Sequence, residues 1–222
     1  MENLNEFIAL ILLAVIGIVY QCFKRYSLSS GTKLIEKWFK EKFSGEDITK
    51  EFSEIQERMV EIKTILDADR VVIDQFHNGT TFTNNKPLWK ITRTYEICSN
   101  GVSYESLKIQ NIMAVLLWDS VSAIFEPKNK PYFEQIKGDK CKQSCKIQYG
   151  VYRYNVDLMP ESMGKVLLRN QGIRSFLQIP LVLNQNIVGY VAVHYLDEEF
   201  DIEDVCQVCQ RVQEIAYFLN KE

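Results

Sequence analysis

The sequence predicts an α/β (α+β) domain with a central antiparallel sheet and helices on its faces, preceded by one N-terminal transmembrane helix. Three observations carry this prediction. Two short runs rich in Val, Ile, Tyr and Phe, 175–182 and 187–195, flank Asn184-Gln185-Asn186. Runs of that length and composition around a turn form an antiparallel hairpin, not globular helices. Residues 48–66 and 202–219 place apolar side chains at a 3.5-residue spacing, the period of a helical seam. Residues 7–23 are apolar and uncharged, as a membrane-crossing helix requires.

Composition bounds the possibilities. The chain has 222 residues, 46% hydrophobic and 25% charged, which is one folded domain of ordinary size with attachments. The net charge of −3 argues against a nucleic-acid surface. The six cysteines do not make a dense disulfide framework for this length, so reduced thiols in a cytosolic compartment are expected.

At the N-terminus, a helix over residues 7–23 is about 25 Å long, near the short limit for a bilayer core of about 30 Å. Glu2 and Glu6 precede it. Six Lys and Arg against two Glu follow it between Lys24 and Lys42. The positive-inside rule then places the rest of the chain in the cytoplasm, with the anchor in the inner membrane if the host is bacterial. A cleaved signal peptide fits less well, because the preceding residues are acidic and no small-residue cleavage site follows. Residues 31–43 read as a basic amphipathic helix carrying Leu34, Ile35, Trp38, Phe39 and Phe43 on one side, suited either to anionic headgroups or to packing on the main domain. The expected organisation is an anchor over 1–25, a juxtamembrane helix and linker over 26–45, and the folded domain over 46–222.

The domain opens with the seam Ile48, Phe52, Ile55, Met59, Ile62 and Leu66. It closes with Ile202, Val205, Cys209, Val212, Ala216 and Leu219. Residues 197–204 hold six acids, which suits a helix N-terminus. Each seam packs on the domain's own sheet, on the other helix, or on a second copy of the chain. Between them, residues 70–76 form a strand, followed by His77-Asn78-Gly79. A second strand lies within 87–98, with Ile91, Arg93, Tyr95 and Ile97 alternating towards one buried face. Asn100-Gly101 makes a tight turn. Residues 107–125 are apolar and partly helical, and cover one face of the sheet. Residues 127–154 form a long excursion rich in Lys and Tyr. Residues 151–157 return as a strand, Pro160 suits the first turn of a helix ending at Asn170, and Gly172 caps it.

Two motifs carry a family resemblance. Gly172-Ile173-Arg174-Ser175, Pro180-Leu181 and Ile187-Val188-Gly189, following a helix, resemble the C-terminal half of a GAF domain. Residues 68–79, ending Phe76-His77-Asn78-Gly79, with Tyr95-Glu96-Ile97 on the next strand, resemble a GAF-like subgroup of bacterial and phage proteins with a Phe-His-Asn-Gly signature. The resemblance covers residues 46–222. It implies a GAF/PAS-like sheet, a ligand pocket between the sheet and its crossover segments, and a homodimer through the first and last helices. Residues 102–150 match no cyclic-nucleotide motif, and no chromophore cysteine or haem ligand has its usual context. The ligand and any cofactor are therefore left unknown.

By position, Phe76, His77, Asn78, Tyr95, Tyr154 and Asp157 are the ligand-binding candidates. Each also has a plain structural role: His77 as a cap of a neighbouring backbone group, Asn78 as a turn residue, the others as core or cap residues. His194, within the hairpin, suits a hydrogen-bonded core or pocket-wall position. Cys141 and Cys145 lie among Lys140, Lys142 and Lys146, whose charge favours reactive thiolates. Zinc is not expected from the Cys141, Cys145, Cys206 and Cys209 spacings. No Walker loop, HExxH, GxSxG or paired-carboxylate motif is present, so no catalytic residue is assigned and a non-enzyme is expected. The reading is a membrane-anchored sensory or regulatory domain that binds a small ligand or a protein partner. A ligand-free interaction scaffold is one alternative. A thiol redox enzyme is the other; the GAF-fold free methionine sulfoxide reductases use cysteine chemistry, but their motif is not found here.

Overall fold

A computed structural model describes residues 45–77, 89–126, 130–136, 150–197 and 205–220. The chain divides into two compact units, Met1–Lys50 and Glu51–Glu222. The expected anchor (7–23), the basic helix (31–43), Asn78, Cys141 and Cys145 lie outside the described residues. Among the described residues no helix is long and apolar enough to cross a membrane.

The second unit is built on one seven-stranded sheet in which every neighbouring pair is antiparallel. Its strands are β1 (Arg70–His77), β2 (Lys90–Cys98), β3 (Ile112–Met113), β4 (Phe133–Ile136), β5 (Val151–Asn155), β6 (Ser175–Leu183) and β7 (Asn186–Tyr195). The order across the sheet is β3-β2-β1-β7-β6-β5-β4. The helices are α1 (Gly45–Ile65), α2 (Trp118–Phe125), α3 (Met163–Asn170) and α4 (Val205–Phe218). This is the α+β architecture expected: a central antiparallel sheet with helices on its faces.

The β6–β7 hairpin closes with a two-residue turn. Leu183 pairs with Asn186, and Asn184 and Gln185 both take positive φ, 49° and 66°. This is the backbone that matches the right-handed twist of the flanking strands. The turn is one residue shorter than the sequence suggests, because Asn186 already belongs to β7.

Each face of the sheet has its own core. On one face, Val71, Ile73, Leu177, Ile179, Val191 and Val193 meet α1 and α4. The seams of those helices are consumed here: Ile55, Met59 and Ile62 are fully buried, and Val208, Cys209, Val212 and Ile215 nearly so. These seam residues pack on the chain's own sheet, while Phe52 of the first seam is 45% exposed. Arg58 and Glu61 of α1 pair crosswise with Glu214 and Arg211 of α4, the first pair at 2.6 Å. These pairs clamp the two helices side by side.

The opposite face carries Val72, Tyr152, Tyr154, Phe176, Tyr190 and Ala192. It is covered by 3-10 turns at Ser106–Lys108 and Ala114–Leu117, by α2, and by α3. The long excursion at 127–154 is thus not wholly irregular, since it supplies the edge strand β4. α3 begins at Met163 with Ser162 as its N-cap, whose hydroxyl accepts from the Lys165 N–H, and Pro160 precedes it. Lys165, itself buried, donates to the carbonyls of Asp157 and Met159 and ties down the loop that Pro160 stiffens. Gly172 ends the helix as expected, at φ +75°, with its N–H bonded to Arg169 and that of Ile173 to Leu168.

One irregularity decides which side chains face which core. The β1–β2 register shifts between Ile73 and Asp74: Ile73 pairs with Tyr95, but Asp74 pairs with Arg93. Thr94 is the extra residue, a β-bulge. The expected alternation Ile91, Arg93, Tyr95, Ile97 on one face is therefore corrected. Ile91 belongs to the α2/α3 core, whereas Tyr95 and Ile97 pack against the α1/α4 core. The bulge also brings Arg93 and Glu96 to the same side of the sheet, where their side chains approach to 3.7 Å.

Candidate functional site

The α2/α3 face holds a cluster of polar groups under α3. β1 supplies Arg70 and Asp74, two residues apart on the same face from Val72, by the two-residue period of a strand. β2 supplies Arg93 and Glu96 through the bulge. β6 supplies Gln178, β7 supplies Tyr190 and His194, and the C-cap of α3 supplies Gln171. All these side chains are buried or nearly so.

The charges among them are balanced. Arg93 makes a two-point pair with Asp74, Nε to Oδ1 at 2.9 Å and Nη2 to Oδ2 at 3.3 Å. Arg70, with no solvent exposure, lies 3.1 Å from Glu96 and donates to the carbonyl of Ser103 at 2.7 Å. Glu96 in turn accepts the backbone N–H groups of Glu105 and Ser106, at 2.8 and 2.6 Å. Both guanidinium groups reach the side-chain oxygen of Gln171, at 3.3 and 3.4 Å. A buried charge is tolerated only when paired and hydrogen-bonded in this way. The network also sets the end of α3 and the 99–109 loop upon β1 and β2.

A small cavity of about 40 Å³ lies beside this network. Asp74, Arg93, Gln171, Gln178, Tyr190 and His194 are among its polar lining residues, and Phe176 and Leu168 are among its apolar ones. Gly164 and Ala192 keep part of the wall low. His194 is 2% exposed, and its Nδ1 has no hydrogen-bond partner among the described residues. Burial, followed by the proximity of Arg93 and Arg70, holds the imidazole well below its ordinary pKa, so it is neutral. Phe176 meets it edge-on at 6.0 Å. Burial, followed by the proximity of the Asp74 carboxylate, pushes the Tyr190 hydroxyl well above its ordinary range. The cavity is thus lined by a neutral ring, uncharged amides and hydroxyls, and the Arg93–Asp74 ion pair.

The residues singled out from the sequence are scattered by comparison. Tyr154 comes nearest the cavity. It stacks flat on Phe176 at 4.4 Å, donates to Gln178 at 3.2 Å and accepts from the Ala123 N–H. Phe76 joins Trp89, Phe125 and Tyr190 in an aromatic cluster on the same face. His77 is at the far end of β1, with Nε2 2.9 Å from the Thr92 hydroxyl. Tyr95 is on the opposite face, against Phe52 of α1. Asp157 is on the surface, paired with Arg169 and Arg174. Arg70, Asp74, Arg93, Gln171 and Gln178 were missed as site residues. Their signal was available in part, as charged residues at Arg70 and Asp74 flanking the apolar run 71–73 of a buried strand.

No family model matches the chain, and no curated protein matches it. Solved structures do. The blue-light absorbing form of the Thermosynechococcus elongatus PixJ GAF domain is 13% identical, with 78% of this chain and 84% of that one covered, at a TM-score of 0.47. GAF3 from Slr1393 of Synechocystis sp. PCC6803 is 15% identical over 76% and 92%, at 0.44. The chromophore-binding domain of the bacteriophytochrome RpBphP3 from R. palustris is 14% identical over 80% and 61%, at 0.45.

Proposed function

We propose that the chain is a membrane-anchored sensory or regulatory domain of GAF-like type that holds a small, uncharged polar ligand beneath α3. The observation that supports this reading is the Nδ1 of His194, buried and without a hydrogen-bond partner among the described residues, on a side chain that lines the cavity. Leaving a buried polar atom unbonded costs about 1–3 kcal/mol, and a ligand that bonds it recovers that cost. The two buried cations are each matched by a carboxylate, so the site favours a neutral ligand over an anion. At about 40 Å³ the cavity admits a few water-sized groups, so a larger ligand enters only as α3 moves outward. Such a movement is transmitted through Gln171, which both Arg70 and Arg93 contact. No bond-making step belongs to this reading; the redox alternative rests on Cys141 and Cys145, outside the described residues.

The small cavity favours a second reading, a ligand-free domain that works by protein interaction. Native mass spectrometry of the full chain released from detergent micelles separates the two. A small molecule lost stoichiometrically on denaturation, and absent from His194→Phe, supports the sensor. An intact chain with nothing bound, and no thermal stabilisation over a library of neutral polar metabolites, overturns it in favour of the interaction reading.

A further inference from the structure

We propose that the surface formed by Trp89, Met113, Val115, Leu116 and Trp118 is a docking face that seats the domain on the lipid bilayer. These five side chains are 38–56% exposed. They are contiguous. The Ala114 N–H bonds the Trp89 carbonyl, and Met113 pairs with Lys90, the neighbour of Trp89. The indoles of Trp89 and Trp118 both pack on Phe125, at 5.3 and 5.9 Å, Trp118 in a near-parallel stack. Residues 109–118 contain no charged side chain. Two indoles over aliphatic and thioether side chains is the composition that favours the headgroup–acyl boundary, where an amphipathic ring has one apolar and one wet edge.

The position of the face names the bilayer as its occupant. Phe52 of α1 packs on Tyr95, and Lys63 bonds Ser99 beyond the end of β2, at 2.8 Å. α1 therefore runs in the same direction as β2, and its N-terminal part points to the Lys90 end of the sheet. That is the end at which Trp89 and Met113 lie. The first residues of this unit therefore lie at the same end of the sheet as the exposed face, with α1 on the opposite sheet face. Residues 24–44, between the apolar run at 7–23 and α1, span at most about 75 Å. A face too weakly apolar to hold a free protein on lipid binds well at the effective concentration such a tether imposes. This inference rests on the membrane-anchored reading above.

The test uses the full chain with Trp118 as its one tryptophan (Trp38→Phe, Trp89→Phe), reconstituted into phosphatidylcholine–phosphatidylglycerol vesicles with and without brominated acyl chains. Flotation of the vesicles reports the anchor separately. The expected result is a chain that floats and loses about half of its Trp118 emission on brominated lipid. Adding Val115→Asp and Leu116→Asp, both at exposed positions, restores the emission with flotation and melting temperature unchanged. A chain that floats with equal emission in both vesicles overturns the docking face and leaves the anchor standing. If, in that case, Trp118 crosslinks to a second copy or to another protein, the occupant is that protein and not lipid. A chain that does not float overturns the anchor and the docking face together.

Discussion

Arg93 grips Asp74 across the β-bulge in β2, with two hydrogen bonds of 2.9 and 3.3 Å and both side chains 4% exposed. The pair joins β2 to β1 under the cavity, where Asp74 is also near Tyr190. Removing one partner leaves a charge that water cannot reach. Arg93→Met is expected to destabilise the chain by about 3–5 kcal/mol, because Asp74 is left buried and unpaired. The double variant Asp74→Leu/Arg93→Met removes both charges and is expected to recover part of that loss. The recovery is incomplete, because Gln171 and Glu96 each lose a partner. Urea unfolding of the two variants and the parent checks the order, and a double variant less stable than Arg93→Met contradicts it.

His194 links stability to pH. Its folded pKa lies well below the ordinary 6.5, through burial and then through Arg93 and Arg70. Below 6.5 the unfolded chain takes up a proton that the folded chain refuses. Stability from this group is therefore fully present above the unfolded pKa, and is lost as the pH falls from there towards the folded pKa. The expected slope is at most one proton per chain. His194→Gln abolishes that component, so the stability difference between parent and variant shrinks as the pH is lowered from about 7.5 to about 5. Urea midpoints at both pH values check it. A difference that stays constant means that His194 has the same pKa in the folded and unfolded chain.

Much of the fold was legible because its signals are local. The β6–β7 hairpin, the helical seams and the Gly172 cap all follow from residues adjacent in sequence. β3 and β4 were not foreseen as strands. Two residues carry no period, and the alternation over Phe133–Ile136 is lost in a polar excursion. The site was legible only in part, and the reason is the bulge at Thr94. Strict alternation puts Tyr95 with Arg93, whereas one inserted residue moves Tyr95 to α1 and brings Glu96 to the cavity side. The partners that make Arg70 and Arg93 tolerable in a core come from residues as far off as Gln171, a pairing no spacing in the sequence displays.

Gly189 is where the central strands come closest. It pairs with Leu181 on β6 and with Gln75 on β1. A Cβ built there would lie 2.9 Å from the Gln75 Cα and closer still to the Asp74 carbonyl oxygen. Those obstacles are backbone, so no rotamer change relieves them. Relief requires β7 to move away from β1, against six paired positions between the two strands. Gly189→Ala is therefore expected to cost about 1–3 kcal/mol through overpacking. Gly101→Ala is the control: its Cβ meets nothing within 4 Å, and only the φ of +86° resists the change. That turn is expected to yield by about 1 kcal/mol, with no effect on the sheet. The two variants separate in amide hydrogen exchange as well as in melting temperature. Gly189→Ala raises exchange at Asp74 and Gln75, next to the cavity, whereas Gly101→Ala raises it only around Ser99–Val102. Equal protection of β1 in both variants contradicts the close approach of β7 and β1 at Gly189.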